Sequence, residues 1–409
     1  MQNKKSLLIL GGGIDQIPGI LKAKEMGLYT IVLDGNANAK GQHYADEFYI
    51  VSIKHIQQIK YFVANQLTKK VDGVIAFGVD IPSIIAQTAQ LLNINYTIPI
   101  QSAMLSENKF LSKEFMQQYS IASPPYSIVK NISQIKTFIE QYDFPIIIKP
   151  IDNSASRGIS FVKDEKQLQY YFNYALEFSN AKKVQVEKYL SGAQVSTETF
   201  IINGEVYNIG FLDRNYNNVE RFFPNIIENG GDMPSTVMKE KHKQQLTYYL
   251  QIIAKQLDIK NGIIKGDIII HNDDLYIIEF ALRLSGGNFS TICIPASTGV
   301  DFIKISIQLH LNYSIDIKKL MIKLNNNISM RYKFTEDLDK TDKIQNIILP
   351  KQEENILFSN FHVNVEDTIS EKTTNHAERL GFAIATGNTR EDAIKNAQKY
   401  LDNVEIICE

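Results

Sequence analysis

Short apolar runs and amphipathic stretches alternate through the first hundred positions. Leu7-Leu8-Ile9-Leu10 reads as a buried strand, punctuated by Gly11-Gly12-Gly13. A helix follows, with Pro18 in its first turn and Ile20, Leu21 and Ala23 ahead of Gly27, which stops it. Residues 30–34 and 73–77 read as two further strands and 84–92 as another helix. Strands alternating with helices predict a parallel sheet covered on both faces.

The pattern then changes. Beyond a helix carrying Phe110, Leu111, Phe115 and Met116, Pro124-Pro125 marks a break. Residues 145–150 (Pro-Ile-Ile-Ile-Lys-Pro) read as a strand, 158–162 as its neighbour, and polar 152–157 as the loop between them. Asp164 and Gln167 have capping-box spacing ahead of a helix reaching Phe178, and 183–187 is another strand. Leu246, Tyr249, Leu250, Ile253, Ala254 and Leu257 line one face of a long helix. Strands 266–270 and 275–280 follow, joined by a turn at 271–274. From Met321 onward the chain reads as a smaller lobe. It ends in a helix with Thr389 as cap, Asp392 at its third position, and Ala393, Ile394, Ala397, Tyr400 and Leu401 on one face.

Composition narrows the class. The 409 residues suggest two or three domains, and 44% hydrophobic with 22% charged residues is globular. A net charge of -2 argues against a nucleic-acid binder that works by phosphate neutralisation. Cys293 and Cys408 are too few for a disulfide framework or a thiolate zinc site. Met1-Gln2-Asn3-Lys4-Lys5 leads into an apolar run too short for a signal-peptide core, and no later run could span a membrane. The expectation is a soluble, cytoplasmic protein with no nucleic-acid or membrane partner.

Candidate chemistry gathers in the middle of the chain. Lys149 ends an apolar strand, which would fix an ammonium for phosphate oxygens; alone, it reads better as a lysine reaching from a strand end to water. The loop after it, Asp152-Asn153-Ser154-Ala155-Ser156-Arg157-Gly158, is small and rich in donors, although it lacks the P-loop pattern. Glu187-Lys188-Tyr189-Leu190 leaves a strand and could offer backbone groups to a purine edge, or be an ordinary surface segment. Asp267 and Glu279 sit within apolar strands, where carboxylates need a counter-charge. Mg²⁺ with phosphate would supply one; an ion pair to Arg283 without metal is the alternative. Gly11-Gly12-Gly13 with Asp34 suggests a dinucleotide fingerprint, but Gln16 stands where its third glycine belongs. That favours a loop used for packing or a small ligand over NAD.

The order of these elements resembles the ATP-grasp superfamily across nearly the whole chain. The opening glycine loop and Asp34 are similar to the N-terminal domain of that family. Lys109 and Lys149 look like its two nucleotide lysines, and 154–158 like its phosphate loop. Residues 186–190 resemble the adenine hinge, and the run 381–385 with the helix from Thr389 is similar to the C-terminal element of the carboxylase-like branch. The resemblance implies an α/β fold with a Rossmann-like domain at 1–97, an ATP-grasp domain of two α+β subdomains at 98–320, and an α+β lobe at 321–409.

It further implies ATP held by Lys109, Lys149, Ser154, Ser156, Arg157, Gly158, Glu187, Lys188, Leu190 and Gln194. Mg²⁺, with Mn²⁺ as an alternative, would lie on Asp267 and Glu279, and Arg283 and Lys149 would act in catalysis. Gln194 replaces a frequent glutamate, Asp267 is one carbon shorter than the usual glutamate, and Ala281 replaces a frequent asparagine ligand. The implied activity joins a small-molecule carboxylate, such as an amino acid, to an amine through an acyl phosphate, releasing ADP and phosphate. A homodimer is compatible with it. A bicarbonate-using carboxylase, an ATP-binding protein without turnover and an NAD-dependent oxidoreductase are the competing readings.

Overall fold

A computed structural model describes residues 4–96, 98–351 and 353–409. Met1 to Asn3, and residue 97 at the first expected domain boundary, lie outside them.

The first layer is a four-stranded parallel sheet in the order Glu47–Ile50, Tyr29–Asp34, Ser6–Leu10, Gly73–Ile75. Ser6–Leu10 is buried at every position, which explains its unbroken apolar run: both faces of a parallel sheet are covered. Helix Ile17–Glu25 begins with Pro18 and ends before Gly27, as its punctuation predicts. Strand Glu47–Ile50 and helix Ile56–Asn65 escape the sequence pattern. The strand is at the sheet edge and only half-buried, so its Glu-Phe-Tyr-Ile run has no apolar contrast.

The glycine loop serves packing. The Gly12 N–H donates to Asp34 Oδ2 at 2.7 Å, and the Gln16 amide donates to the Phe77 carbonyl at 2.8 Å. Asp34 is thus engaged by the loop itself, and buried Gln16 ties this loop to the neighbouring strand.

The second layer is a four-stranded antiparallel sheet, in the order Tyr126–Val129, Val184–Lys188, Ile146–Pro150, Ser160–Val162. Helices Ile132–Tyr142 and Leu168–Glu177 bury Ile135, Phe138, Leu168 and Phe172 against it. The expected capping box at Asp164 does not form. Asp164 accepts from the Lys166 N–H, while Gln167 accepts from the Tyr171 hydroxyl, and the α-helix starts only at Leu168 after a single tighter turn.

The third layer is an eight-stranded antiparallel sheet. Its order is Asp274–Ala281, Gly262–His271, Ala193–Ile202, Glu205–Arg214, Gly231–Met233, Asn327–Lys333, Gly381–Gly387, Ile356–Phe361. The last three strands come from beyond residue 320, so the backbone hydrogen-bond network runs straight through the expected start of a separate lobe. The reason is the pairing of Gly231–Met233 with Asn327–Lys333, a contact between positions about a hundred residues apart that no local pattern encodes. Helix Glu240–Gln256 covers one face through Leu246, Tyr249, Leu250, Ile253 and Ala254. Helix Arg390–Asp402 carries the capping box read from Thr389 and Asp392; Ala393, Ala397, Tyr400 and Leu401 are buried and Ile394 half-buried. One apolar cluster joins the parallel sheet to the large sheet, with Leu7, Ile9 and Phe77 in it beside Phe200, Ile294 and Phe302.

Candidate active site

A cavity of about 270 Å³ opens between the small antiparallel sheet and the end strands of the large one. Strand alternation decides which side chains enter it. On Gly262–His271, Lys265 and Asp267 are two apart and share a face; Asp267 stands opposite Glu279 on the paired strand. All three line the cavity, with Lys109, Lys149 and Arg283.

Each of these charges has a partner. Lys109 follows Asn108, whose side chain caps helix Lys109–Gln118 by accepting from the Phe110 and Leu111 N–H groups. Its ammonium meets Glu279 Oε2 at 2.7 Å; burial lowers the lysine pKa, but the charge and hydrogen bond of Glu279, with the Asp80 and Asp267 charges, together outweigh it and the net shift is upward. Lys265 pairs with Asp267 and lies 3.5 Å from Glu279 Oε1. Lys109, followed by Lys265, holds the Glu279 carboxyl well below the usual range against the upward push of burial. Asp267 also accepts from the Ser196 hydroxyl at 2.9 Å. Arg283 turns to the parallel-sheet unit, its Nε 2.8 Å from Asp80 Oδ1. The ion pair between Glu279 and Arg283 that the sequence left open is therefore not formed: two nearer lysines take Glu279, and Asp80 takes the arginine.

Lys149 is buried and pairs with Glu187, whose carboxylate also contacts Lys113. Glu187 lines the cavity, but its side chain faces lysines and not an open purine edge. Burial pushes the Glu187 carboxyl up, yet the two ammonium groups win and hold it below its ordinary range. Burial brings Lys113 down to about 8.

The loop at 154–158 closes one side of the cavity. Ala155 and Ser156 adopt left-handed backbone conformations, at φ 58° and 60°. Ser154 and Ser156 line the cavity; Arg157 and Gly158 do not. The Arg157 guanidinium folds back onto Asn153 Oδ1 at 2.9 Å and Ser154 Oγ at 3.2 Å. Gly158, at φ 72°, leaves no room for a side chain, since a Cβ there would meet Phe178 at 2.7 Å. His376, from far along the chain, holds the loop: its backbone N–H donates to the Ala155 carbonyl at 2.9 Å and its ring Nε2 lies 3.3 Å from Ser156 Oγ. Burial, then the charges of Arg379 and Arg214, keep the His376 pKa well below 6.5, so the ring is neutral and accepts the Glu228 N–H.

At the mouth, Lys188, Tyr189, Leu190 and Gln194 line the wall, with apolar Ile147, Ile159 and Ile269 around them. The Lys188 ammonium donates to the Phe144 carbonyl at 2.9 Å. Gln194 Oε1 accepts from Arg214 at 3.4 Å.

Sequence reading missed Lys113, Lys265, Asp80 and His376. Two of these had a local signal: Lys113 is one helical turn after Lys109, and Lys265 shares the face of Asp267 two residues away. Asp80 and His376 had none, because only tertiary folding brings them here. A second cavity, of about 380 Å³, adjoins the first and shares Lys265, Asp267 and Arg283 with it.

Among the described residues no group of three or more His, Cys, Asp or Glu side chains could hold a metal by itself. The pair Asp267 and Glu279 nevertheless fits Mg²⁺, which takes one or two protein carboxylates and completes its shell with phosphate oxygens and water. Lysine ammonium groups neutralise both carboxylates, marking the spot as one that accepts positive charge.

Two facing antiparallel sheets with cationic side chains converging between them define the class. Residues 107–287 match the model of the phosphoribosylglycinamide synthetase ATP-grasp (A) domain. That segment is an ATP-grasp domain. The solved L-amino acid ligase from Bacillus licheniformis superposes with a TM-score of 0.80 at 17% identity, covering 100% of both chains. Phosphoribosylglycinamide synthetase from Anaerococcus prevotii gives 0.75 at 20% identity, again over 100% of both. The carbamoyl phosphate synthase large chain of Clostridium acetobutylicum is 21% identical over 315 residues, 74% of this chain but 28% of that one. The match therefore spans less than a third of that relative's length. No helix among the described residues is long and apolar enough to cross a membrane.

Proposed function

We propose that the protein is an ATP-dependent carboxylate–amine ligase working through an acyl phosphate. One observation carries this reading: Lys109, Lys149, Lys265 and Arg283 converge on the cavity that also holds the Asp267 and Glu279 carboxylates. A purely structural network of ion pairs would have no cavity to line. Here they line a space that continues into a second cavity.

In this reading the adenine lies against Ile147, Leu190 and Ile269, with Gln194 near the ribose. Ser154, Ser156, Lys109 and Lys149 face the phosphates. Mg²⁺ on Asp267 and Glu279 would offset the negative charge of the phosphate oxygens. Lys109 and Lys265, which pair with these carboxylates, would turn to phosphate where the cation binds, so no buried charge would be left alone. A substrate carboxylate oxygen attacks the γ-phosphorus, the bond to ADP breaks, and Arg283 stabilises the charge on the transferring group. The amine then attacks the acyl carbon, expelling phosphate and losing a proton, to leave an amide. Loop 154–158 excludes water that would hydrolyse the acyl phosphate.

Asp80 deepens the assignment of Arg283. Its carboxylate holds the guanidinium clear of Glu279, leaving Glu279 to a cation and Arg283 to an anion. The test is Glu279→Gln measured against Mg²⁺ concentration. Turnover should fall by roughly a hundredfold or more, the scale for one lost preorganised electrostatic contact, and the Mg²⁺ dependence should change. Unchanged turnover and Mg²⁺ dependence in a folded variant would remove the carboxylates from the reaction.

A further inference from the structure

We propose that the second cavity is the subsite for an anionic group of the amine substrate, with Arg379 as its anchor. The proposal rests on the ligase reading only for the word substrate; the site stands on its own geometry. Arg379 lies at the end of the segment that holds the phosphate loop and is 8% exposed, yet it lines this cavity. It donates to the Glu228 carbonyl and its guanidinium stacks 3.8 Å from the centre of the Tyr332 ring. Its buried Nε–H has no partner, and the side chain forms no ion pair among the described residues. The Glu228 carboxylate, the acid on the residue it touches, is taken by Arg214.

The other cations around this cavity differ. Lys265 has Asp267, Arg214 has Glu228, and Arg283 has Asp80. A guanidinium so deeply buried is unfavourable without an anion, and an aromatic face meets its charge but not its in-plane N–H groups. The planar fork suits two oxygens of one carboxylate or phosphate. The rest of the cavity fits the remainder of such a molecule. Leu212, Phe289 and Met330 give it an apolar wall, and Asp267 and Arg283 line both cavities. A ligand anchored at Arg379 therefore occupies space continuous with the place where the acyl phosphate would form, so its amine can reach that group. The acceptor class is an amine that carries its own anion: a free amino acid or peptide if carboxylate, an aminoalkyl phosphate if phosphate.

The experiment titrates the full chain, with ADP and Mg²⁺ present, with free amino acids, their methyl esters and 2-aminoethyl phosphate. At least one anionic amine should bind roughly tenfold or more tightly than its uncharged counterpart. Arg379→Gln should erase that gap, and the tighter of the carboxylate and phosphate probes names the anion. Because Gln removes the stacking on Tyr332, Arg379→Lys is measured beside it. Lysine keeps the charge and loses the fork, so a reduced gap is expected. Esters binding as tightly as acids, an undiminished gap in either folded variant, or no binding by any probe would overturn the subsite. ADP release on mixing acids and amines is read separately. Discrimination without ADP release would remove the ligase reading and keep the subsite; release with simple amines and no discrimination would do the reverse.

Discussion

An ammonium at the end of a strand is ordinary; several around two carboxylates in one cavity are not. Lys149 shows the difference. Its sequence setting, an apolar run closed by proline, placed it at a strand end, but only the fold reveals Glu187 and Lys113 beside it. Lys149→Ala should lower turnover roughly a hundredfold, measured by steady-state ADP release; full turnover in the folded variant would exclude it from the site. Asp267, Glu279 and Arg283 were readable for a similar reason, as charges inside or beside apolar strands. Arg379 was not, because nothing in its neighbourhood along the chain marks a buried cation.

Glu198 gives a residue-level test of the scaffold. It is fully buried mid-strand and accepts the Ser285 N–H at 2.6 Å; burial pushes its carboxyl up to about 8. The fold therefore favours the neutral form. The contribution of that group is fully present below its unfolded value near 4.5 and is lost as pH rises through about 8. Glu198→Gln mimics the neutral acid, so its melting temperature should decline less than that of the wild type between those limits. Parallel curves for the two proteins would contradict the buried-neutral assignment.

The elements around the site were read with mixed success, and the misses share a cause. The strands flanking loop 154–158 and the hairpin of the two carboxylates were legible from apolar runs and turn residues. The edge strand Glu47–Ile50 was not, since half-burial removes the contrast. His376 tethers loop 154–158. Its amide exchange should still slow on adding ATP and Mg²⁺, and His376→Ala should speed exchange in the empty protein. Identical exchange in that variant would show that the imidazole contributes nothing to the tether. A second contact between loops is tighter: Gly78, at φ 70°, has Gly286 Cα where its Cβ would be, at 2.8 Å. Gly78→Ala should destabilise by about 1–3 kcal/mol in denaturant titration, through backbone strain and displacement. A wild-type midpoint would mean that the two loops part freely.

Over the whole molecule, the parallel sheet, the small antiparallel sheet and the eight-stranded sheet each contribute to one pair of cavities. Asp80 comes from the first, Lys149 and Glu187 from the second, and Lys265, Asp267 and Glu279 from the third. That convergence could be foreseen only through the order of motifs along the chain, since each alone had an ordinary explanation. The continuation of the large sheet past residue 320 could not, because it depends on strands paired across long separations. It matters for function, since it brings His376 and Arg379 to the site.

The central claim is that a carboxylate is activated here as an acyl phosphate. Its most direct test is ADP release from ATP and Mg²⁺ on adding single carboxylic acids, with hydroxylamine supplied as the amine. The account predicts ADP formation that depends on one class of acid and a hydroxamate formed in equal amount, the trapped product of an acyl phosphate. ATP binding with no acid-dependent ADP release from any acid tested would contradict it and favour a nucleotide-binding protein without turnover.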